Sequence, residues 1–268
     1  MFDVIIIGGG PAGLSAAVNA RQRGLTAVAV SNDSANSGLY KAREVSNYPG
    51  YPMISGAQLL KKLEEHAIEM GAELVTGKVA AVMSAGGVFN VGYDTEIIRS
   101  KALIVAIGVS QTSLFPGETK LLGKGLSYCA TCDGMLYRGK RVCVVCLAPG
   151  AAEEADFLAS IGCEVVRVDT KDIIINGESQ VTSVMADGEE IKCDGVFILR
   201  QSIAPNLLLP KLEMESGHIK TGFMGETNIR GVFAAGDCAG APYQIAKAVG
   251  EGQKAALSAS EYIASVHK

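Results

Sequence analysis

An apolar run, Phe2–Ile7, leads directly into Gly8, Gly10 and Gly13 at the spacing G-x-G-x-x-G. In that setting the first glycine permits a tight turn out of a strand. The second lets a pyrophosphate approach the backbone, and the third lets the next helix pack closely on the strand. The stretch Leu14–Gln22 reads as that helix and Ala27–Val30 as a second strand. The N–H groups at the helix start then face the phosphates. Pro11 and Ala12 complete the loop. The acidic ribose ligand usual at the end of the second strand is missing. Ser31 stands there, with Asp33 two residues on, and either is a candidate ribose contact, a solvated turn being the plain alternative. The fingerprint alone does not separate FAD from NAD.

Further along, Gln58–Met70 reads as an amphipathic helix, with Leu59, Leu60, Leu63, Ala67 and Met70 near helical spacing. Leu103–Ile107 reads as a buried strand ended by Gly108. A second strand–turn–helix unit follows at Val142–Val145 and Ala151–Ser160, with Glu164–Val168 as its next strand. The apolar segment Gly231–Ala235 precedes Gly236 and Asp237, and a helix from Gln244 to about Val266 closes the chain. This order predicts an α/β fold of two Rossmann-like domains, the second inserted into the first. The chain has 268 residues, 48% hydrophobic and 19% charged, enough to bury two cores. A net charge of −4 gives no global pull toward nucleic acid. No run approaches the roughly 18 apolar residues of a membrane span. A strand opening at Phe2 predicts no secretory leader, and hence a cytoplasmic protein. Seven cysteines in a reducing compartment point to catalysis or metal binding rather than to structural staples.

The most informative stretch is Tyr128-Cys129-Ala130-Thr131-Cys132-Asp133-Gly134. Two cysteines three apart at a helix start can open and close a small disulfide ring, and the thiolate is the attacking species. Asp133 is placed to exchange a proton with a neighbouring thiol, or to act only as a helix N-terminal carboxylate. Cys129, Cys132, Cys143 and Cys146 together form C-x2-C-x10-C-x2-C, which also reads as a metal site. Against it, Val142–Cys146 reads as a buried strand, where residues three apart point to opposite faces. His66, His218 and His267 are scattered and suggest no cluster.

With these residues in view, the chain resembles the low-molecular-weight thioredoxin reductase family over nearly its whole length. The matching stretches are Gly8–Gly13, Asn47-Tyr48-Pro49-Gly50, Cys129–Gly134 and Gly231-Val232-Phe233-Ala234-Ala235-Gly236-Asp237. The resemblance implies a homodimeric FAD enzyme of thioredoxin reductase-like fold. Residues 1–113 and 201–268 would form the FAD-binding domain, and 114–200 a shortened insert carrying the dithiol. It implies that Asn47, Gly108, Gly236, Asp237, Gln244 and Ile245 join the glycine loop and Ser31 around FAD. It implies further that Cys132 is the flavin-proximal thiol and Cys129 the one that exchanges with a thioredoxin-like disulfide. The family's Gly-Gly-Gln before the Asn47 segment is represented only by Asn36-Ser37-Gly38.

The departures from the family concern the reductant. Where members bind NADPH through a second G-x-G-x-x-G/A, this chain has Cys146-Leu147-Ala148-Pro149-Gly150-Ala151. Side chains at 146 and 148 take the space a pyrophosphate needs, and Pro149 removes an N–H donor. The basic cluster expected after the next strand is reduced to Arg167-Val168-Asp169. Leu199-Arg200-Gln201 replaces a glycine-terminated strand. These departures resemble the pyridine-nucleotide-independent branch, the ferredoxin-dependent flavin thioredoxin reductases. Ferredoxin is then the expected electron donor. Ferredoxins are usually acidic, and Arg138, Lys140 and Arg141 form a basic cluster that would steer one, or an ordinary solvated turn. An NADH- or NADPH-dependent enzyme with a divergent loop, Asp169 holding a ribose, stays as an alternative, as do a second FAD and a non-catalytic flavin redox sensor.

Overall fold

The structure is a computed structural model, described for residues 1–32, 37–108, 115–128, 130–148, 150–200 and 204–266, and for the backbone but not the side chain of Cys132. Asp33, Asn36, Cys129, Pro149, Gln201 and His267, singled out above, lie outside the described residues. The chain forms two compact units, Met1–Ser110 with Ala204–Lys268, and Gln111–Ile203.

The first unit opens with β1 (Phe2–Ile7), α1 (Pro11–Gln22) and β2 (Ala27–Ser31). The sequence predicts α1 from Leu14, but it starts at Pro11. Proline fits the first helical position, where its fixed φ is already helical and its missing N–H costs no bond. Next come α2 (Gly56–Glu69), β3 (Glu73–Thr76), β4 (Val79–Ala85), β5 (Val88–Tyr93) and β6 (Glu96–Val105). A capping box between Ser55 and Gln58 starts α2 two residues before the predicted helix. The sheet order is β3-β2-β1-β6-β5-β4. The strands from β3 to β6 run parallel, and β4–β6 form an antiparallel meander on the other edge. Val4, Ile5 and Ile6 are fully buried, and Ala16, Ala17 and Ala20 bring α1 close against the same core.

The second unit contains α3 (Glu118–Leu121), β7 (Leu126–Ser127), α4 (Ala130–Asp133) and a 3-10 turn at Gly134–Tyr137. They are followed by β8 (Arg141–Cys146), α5 (Ala151–Ser160), β9 (Glu164–Val168), β10 (Ile173–Gly177), β11 (Val181–Ala186), β12 (Glu189–Lys192) and β13 (Gly195–Leu199). A parallel sheet of order β7-β13-β8-β9 is accompanied by an antiparallel meander β10-β11-β12. From β8 the chain passes through α5 to β9 on one side, while β13 lies on the other. The carboxyl ends of β8 and β13 therefore flank a topological switch point, the place where open α/β sheets hold nucleotides.

The chain returns to the first unit through α6 (Pro205–Leu208), β14 (Met214–Glu215), β15 (His218–Ile219), β16 (Val232–Ala234) and α7 (Ile245–Val266). β16 pairs parallel with β6. α7 crosses α1 at close range. A side chain at Gly252 would run into the Ala12 carbonyl, and Ser15 Oγ donates to the Val249 carbonyl at 2.7 Å. Among the described residues no helix is long and apolar enough to cross a membrane.

Candidate active site

In the first unit the glycine turn is held from below. Gly8 N–H donates to the Val30 carbonyl at 2.8 Å, and Gly8 sits at φ 120° with its Cα against the Ala106 carbonyl. A Cβ at Gly13 would strike the Gly8 carbonyl, so α1 can lie this close to β1 only without one. Gly9 faces Ser31, whose Oγ would be 2.5 Å from an added Cβ. Gly10 is different, with nothing within 4 Å of such a Cβ. The first helical bond runs from Leu14 N–H to the Gly10 carbonyl at 2.9 Å, so the N–H groups before it are those a helix start leaves for a ligand. Open space at Gly10 beside these donors fits a pyrophosphate.

The carboxyl ends of β6 and β16 meet the same loop. Gly108 follows β6 at φ 73° with open space around it. Gly236 turns the chain after β16 and presents Asp237, whose Oδ1 is buried without a hydrogen-bond partner. Burial raises the Asp237 pKa; Lys247 opposes that rise and Glu251 adds to it. An unpartnered buried acceptor is costly unless something donates to it, and a ribityl hydroxyl of FAD is such a donor. The turn is braced from α7. Glu251 Oε2 accepts from Gly236 N–H at 2.9 Å and pairs with Lys247 Nζ at 3.1 Å. Lys247 also donates to the carbonyls of Gly236 and Gly240. Sequence reasoning missed Lys247, Glu251 and Gly252. The available signal was Gly250-Glu251-Gly252 inside a helical pattern, since helix glycines mark close packing.

The structure also joins two predicted residues that lie 197 positions apart. Asn47 Nδ2 donates to Gln244 Oε1 at 3.0 Å. Ile245 packs, with Tyr48 and Tyr51, on a small cluster of Val45, Ile54 and Leu59, which seats the start of α7 against the Asn47 loop. Cys238, next to Asp237, is buried. Its thiol donates to the carbonyls of Val105 and Ala235, and burial pushes its pKa up to about 11, so it is a packing residue.

In the second unit α4 is a single turn and begins immediately after Cys129. The expected helix start is thus much shorter than one that carries a full macrodipole. Asp133 is its last residue, and Ser127 Oγ donates to Asp133 Oδ2 at 2.6 Å. Asp133 thus stands in the first turn of a helix that is only one turn long. Ala130 N–H donates to Glu154 Oε2 at 3.4 Å, which ties α4 to α5. Tyr137 is raised by burial and by Asp133.

At the switch point, β8 ends at Cys146, which is paired in register with Leu199 of β13. Leu147 N–H donates to the Leu199 carbonyl at 2.9 Å, closing the two strand ends together. The Cys146 thiol lies 3.8 and 3.9 Å from the carbonyls of Val144 and Ala151, on the first turn of α5. Burial raises it, Arg167 lowers it, and Asp169 and Glu154 raise it. Arg200, directly after β13, is buried with Glu118. Arg200 Nη1 and Nη2 reach the two Glu118 oxygens at 3.0 and 3.1 Å. Side chains, where a nucleotide site has glycines, thus occupy both strand ends. Cys143 is fully buried and pushed up to about 12. In the basic cluster Arg141 pairs with Glu164 at 3.1 Å and Lys140 lies over the Tyr137 ring.

A glycine-turn cradle in one unit and a Cys-x-x-Cys segment in a second, inserted unit define a dinucleotide-dependent disulfide oxidoreductase. The Pyridine nucleotide-disulphide oxidoreductase family model matches residues 2–185 and 166–252. The chain is 30% identical to a thioredoxin reductase of Bacillus subtilis (strain 168), over 98% of this chain and 95% of that one. Its structure resembles a ferredoxin-flavin thioredoxin reductase from Clostridium acetobutylicum at TM-score 0.88 and 38% identity, covering 99% of this chain and 98% of that one. A thioredoxin reductase from Gloeobacter violaceus is similar at TM-score 0.79 and 30% identity, covering 98% and 94%. The chain belongs to the pyridine nucleotide-disulphide oxidoreductase family, among its thioredoxin reductases, and as such is an FAD flavoprotein.

Proposed function

We propose that this chain reduces thioredoxin or a thioredoxin-like protein through a Cys129–Cys132 disulfide, with electrons from ferredoxin rather than NADPH. The observation that carries the choice of donor is the loss of glycine at the strand ends of the second unit, with Cys146 at the end of β8 and Arg200, paired to Glu118, directly after β13. The likeness to a ferredoxin-flavin thioredoxin reductase supports the same reading.

In this account the first unit, through Gly8, Gly10, Pro11, Ala12 and Gly13, holds the FAD pyrophosphate. Ser31 reaches the ribose side, and Gly108, Gly236, Asp237, Asn47, Gln244 and Ile245 line the flavin side. FAD supplies chemistry no side chain has, collecting electrons singly from an iron–sulfur carrier and delivering them in pairs to a disulfide. Cys129, as thiolate, attacks the partner disulfide and forms a mixed disulfide, releasing one partner sulfur. Cys132 then attacks Cys129, closing the Cys129–Cys132 bond and releasing the second partner sulfur. Two electrons pass to the partner; the Cys132 thiol supplies one of the two protons that complete its thiols, and solvent returns the other, lost when Cys129 ionised. Asp133 carries one of these protons between sulfur and solvent. The enzyme acts as a homodimer in a reducing cytoplasm.

The test is a steady-state assay of thioredoxin thiols with the FAD-loaded protein. Reduced ferredoxin is expected to sustain turnover and NADPH or NADH to give none. Turnover with either nicotinamide would overturn the donor, and a ferredoxin-fed enzyme that leaves thioredoxin oxidised would overturn the substrate.

A further inference from the structure

Glu118 and Arg200 are the only buried charged residues among the described residues. They come from positions 82 residues apart. Glu118 Oε1 accepts from Arg200 Nη1 at 3.0 Å and from the Tyr128 hydroxyl at 2.7 Å. Glu118 Oε2 accepts from Arg200 Nη2 at 3.1 Å and from Phe115 N–H at 2.8 Å. The guanidinium lies over the Phe115 ring, 5.1 Å from its centroid. Four donors thus converge on one carboxylate. A buried ion pair loses so much solvation that apolar side chains often stabilise a core as well. Apolar packing does not fix one hydroxyl in one direction, and here that hydroxyl belongs to Tyr128.

Tyr128 is the residue before Cys129, and α4 begins at the residue after it. The far side is also tied, since Ala130 N–H bonds to Glu154 and Asp133 accepts from Ser127. We propose that Arg200 is a positioning residue for the redox couple, fixing through Glu118 and Tyr128 the segment that enters Cys129 and so favouring closure of the Cys129–Cys132 disulfide. This rests on the reading of Cys129 and Cys132 as the redox pair. Closure depends on how much of the time one sulfur is held against the other, and a fixed entry segment raises that effective concentration. The same arginine stands directly after β13, where the sequence departs from a glycine-terminated strand.

The experiment uses the FAD-loaded full chain, equilibrated with glutathione buffers, quenched and alkylated, with the open and closed forms counted by mass. In this exchange one glutathione disulfide is broken, one protein disulfide is formed, and two thiol protons move to glutathione. Tyr128→Phe and Arg200→Met are each expected to lower the closed-to-open ratio about tenfold, or about 30 mV for the two-electron couple. The double variant is expected to fall no further than Arg200→Met alone, because both act along one path. Tyr128→Phe keeps the ring and leaves the ion pair intact, so it carries the test if Arg200→Met does not fold. A folded Tyr128→Phe within twofold of the parent ratio would overturn the proposal while leaving the dithiol reading intact. A parent protein in which no such dithiol equilibrium exists would overturn both.

Discussion

Gly13→Val is expected to give a chain that purifies without flavin and melts well below the parent. A Cβ at position 13 meets the Gly8 carbonyl, with Ile6 Cγ2 3.3 Å away, and valine adds two further methyl carbons. Neither neighbour can yield, since Ile6 and Leu14 are buried on the two elements that must touch. Overpacking of this kind costs about 3 kcal/mol, a fall of roughly 10 °C in Tm for a chain of this size. The measurement pairs a thermal melt with the flavin content of the purified protein. Gly10→Ala separates the two effects. Its Cβ has open space around it, so the melt without FAD is expected to match the parent while FAD affinity falls. A Gly10→Ala protein that keeps full FAD affinity would show that the pyrophosphate does not sit where the turn is open.

Cys132→Ser is expected to reduce thioredoxin turnover by about 10³-fold or more, because loss of one member of a covalent relay removes the whole path. Cys129→Ser is expected to fall as far. The two differ in what accumulates. With Cys132 gone, Cys129 still opens the partner disulfide but nothing releases it, so a mixed disulfide builds up and is seen on a non-reducing gel. With Cys129 gone, no such adduct forms. Cys146→Ser changes a thiol already occupied with backbone carbonyls and is expected to leave turnover near the parent value. Equal loss in Cys146→Ser would move the redox chemistry to a different sulfur.

Much of this was legible in the chain. Phe2–Ile7, Ala151–Ser160 and Glu164–Val168 are read from the sequence with the bounds the structure gives them, because strong apolar patterns sit between clear glycine and charge signals. Asn47 and Gln244 were each named through the family resemblance, but no local pattern or resemblance foretold the hydrogen bond between them. The antiparallel meanders were not read. β4 and β5 turn at Gly86-Gly87, and β11 and β12 at Asp187-Gly188, both recognisable hairpin signals between short half-exposed strands. β6 runs back to Glu96 because its first half pairs with β5, where most side chains are exposed and charged residues interrupt the apolar pattern. Arg200 stood out in the sequence as a lost glycine. Its role as the partner of Glu118 depends on a tertiary meeting across 82 residues that no spacing reveals. Lys247 and Glu251 were hidden for a different reason, since an i,i+4 ion pair on a helix usually reads as solvated surface.

Anaerobic rapid mixing identifies the electron donor directly. The FAD-loaded protein is mixed in turn with NADPH, NADH and reduced ferredoxin while the visible absorption of the flavin is followed. The loss of glycine at the ends of β8 and β13 predicts that ferredoxin bleaches the flavin within a turnover and that both nicotinamides leave the spectrum unchanged. Rapid bleaching by NADPH would contradict it.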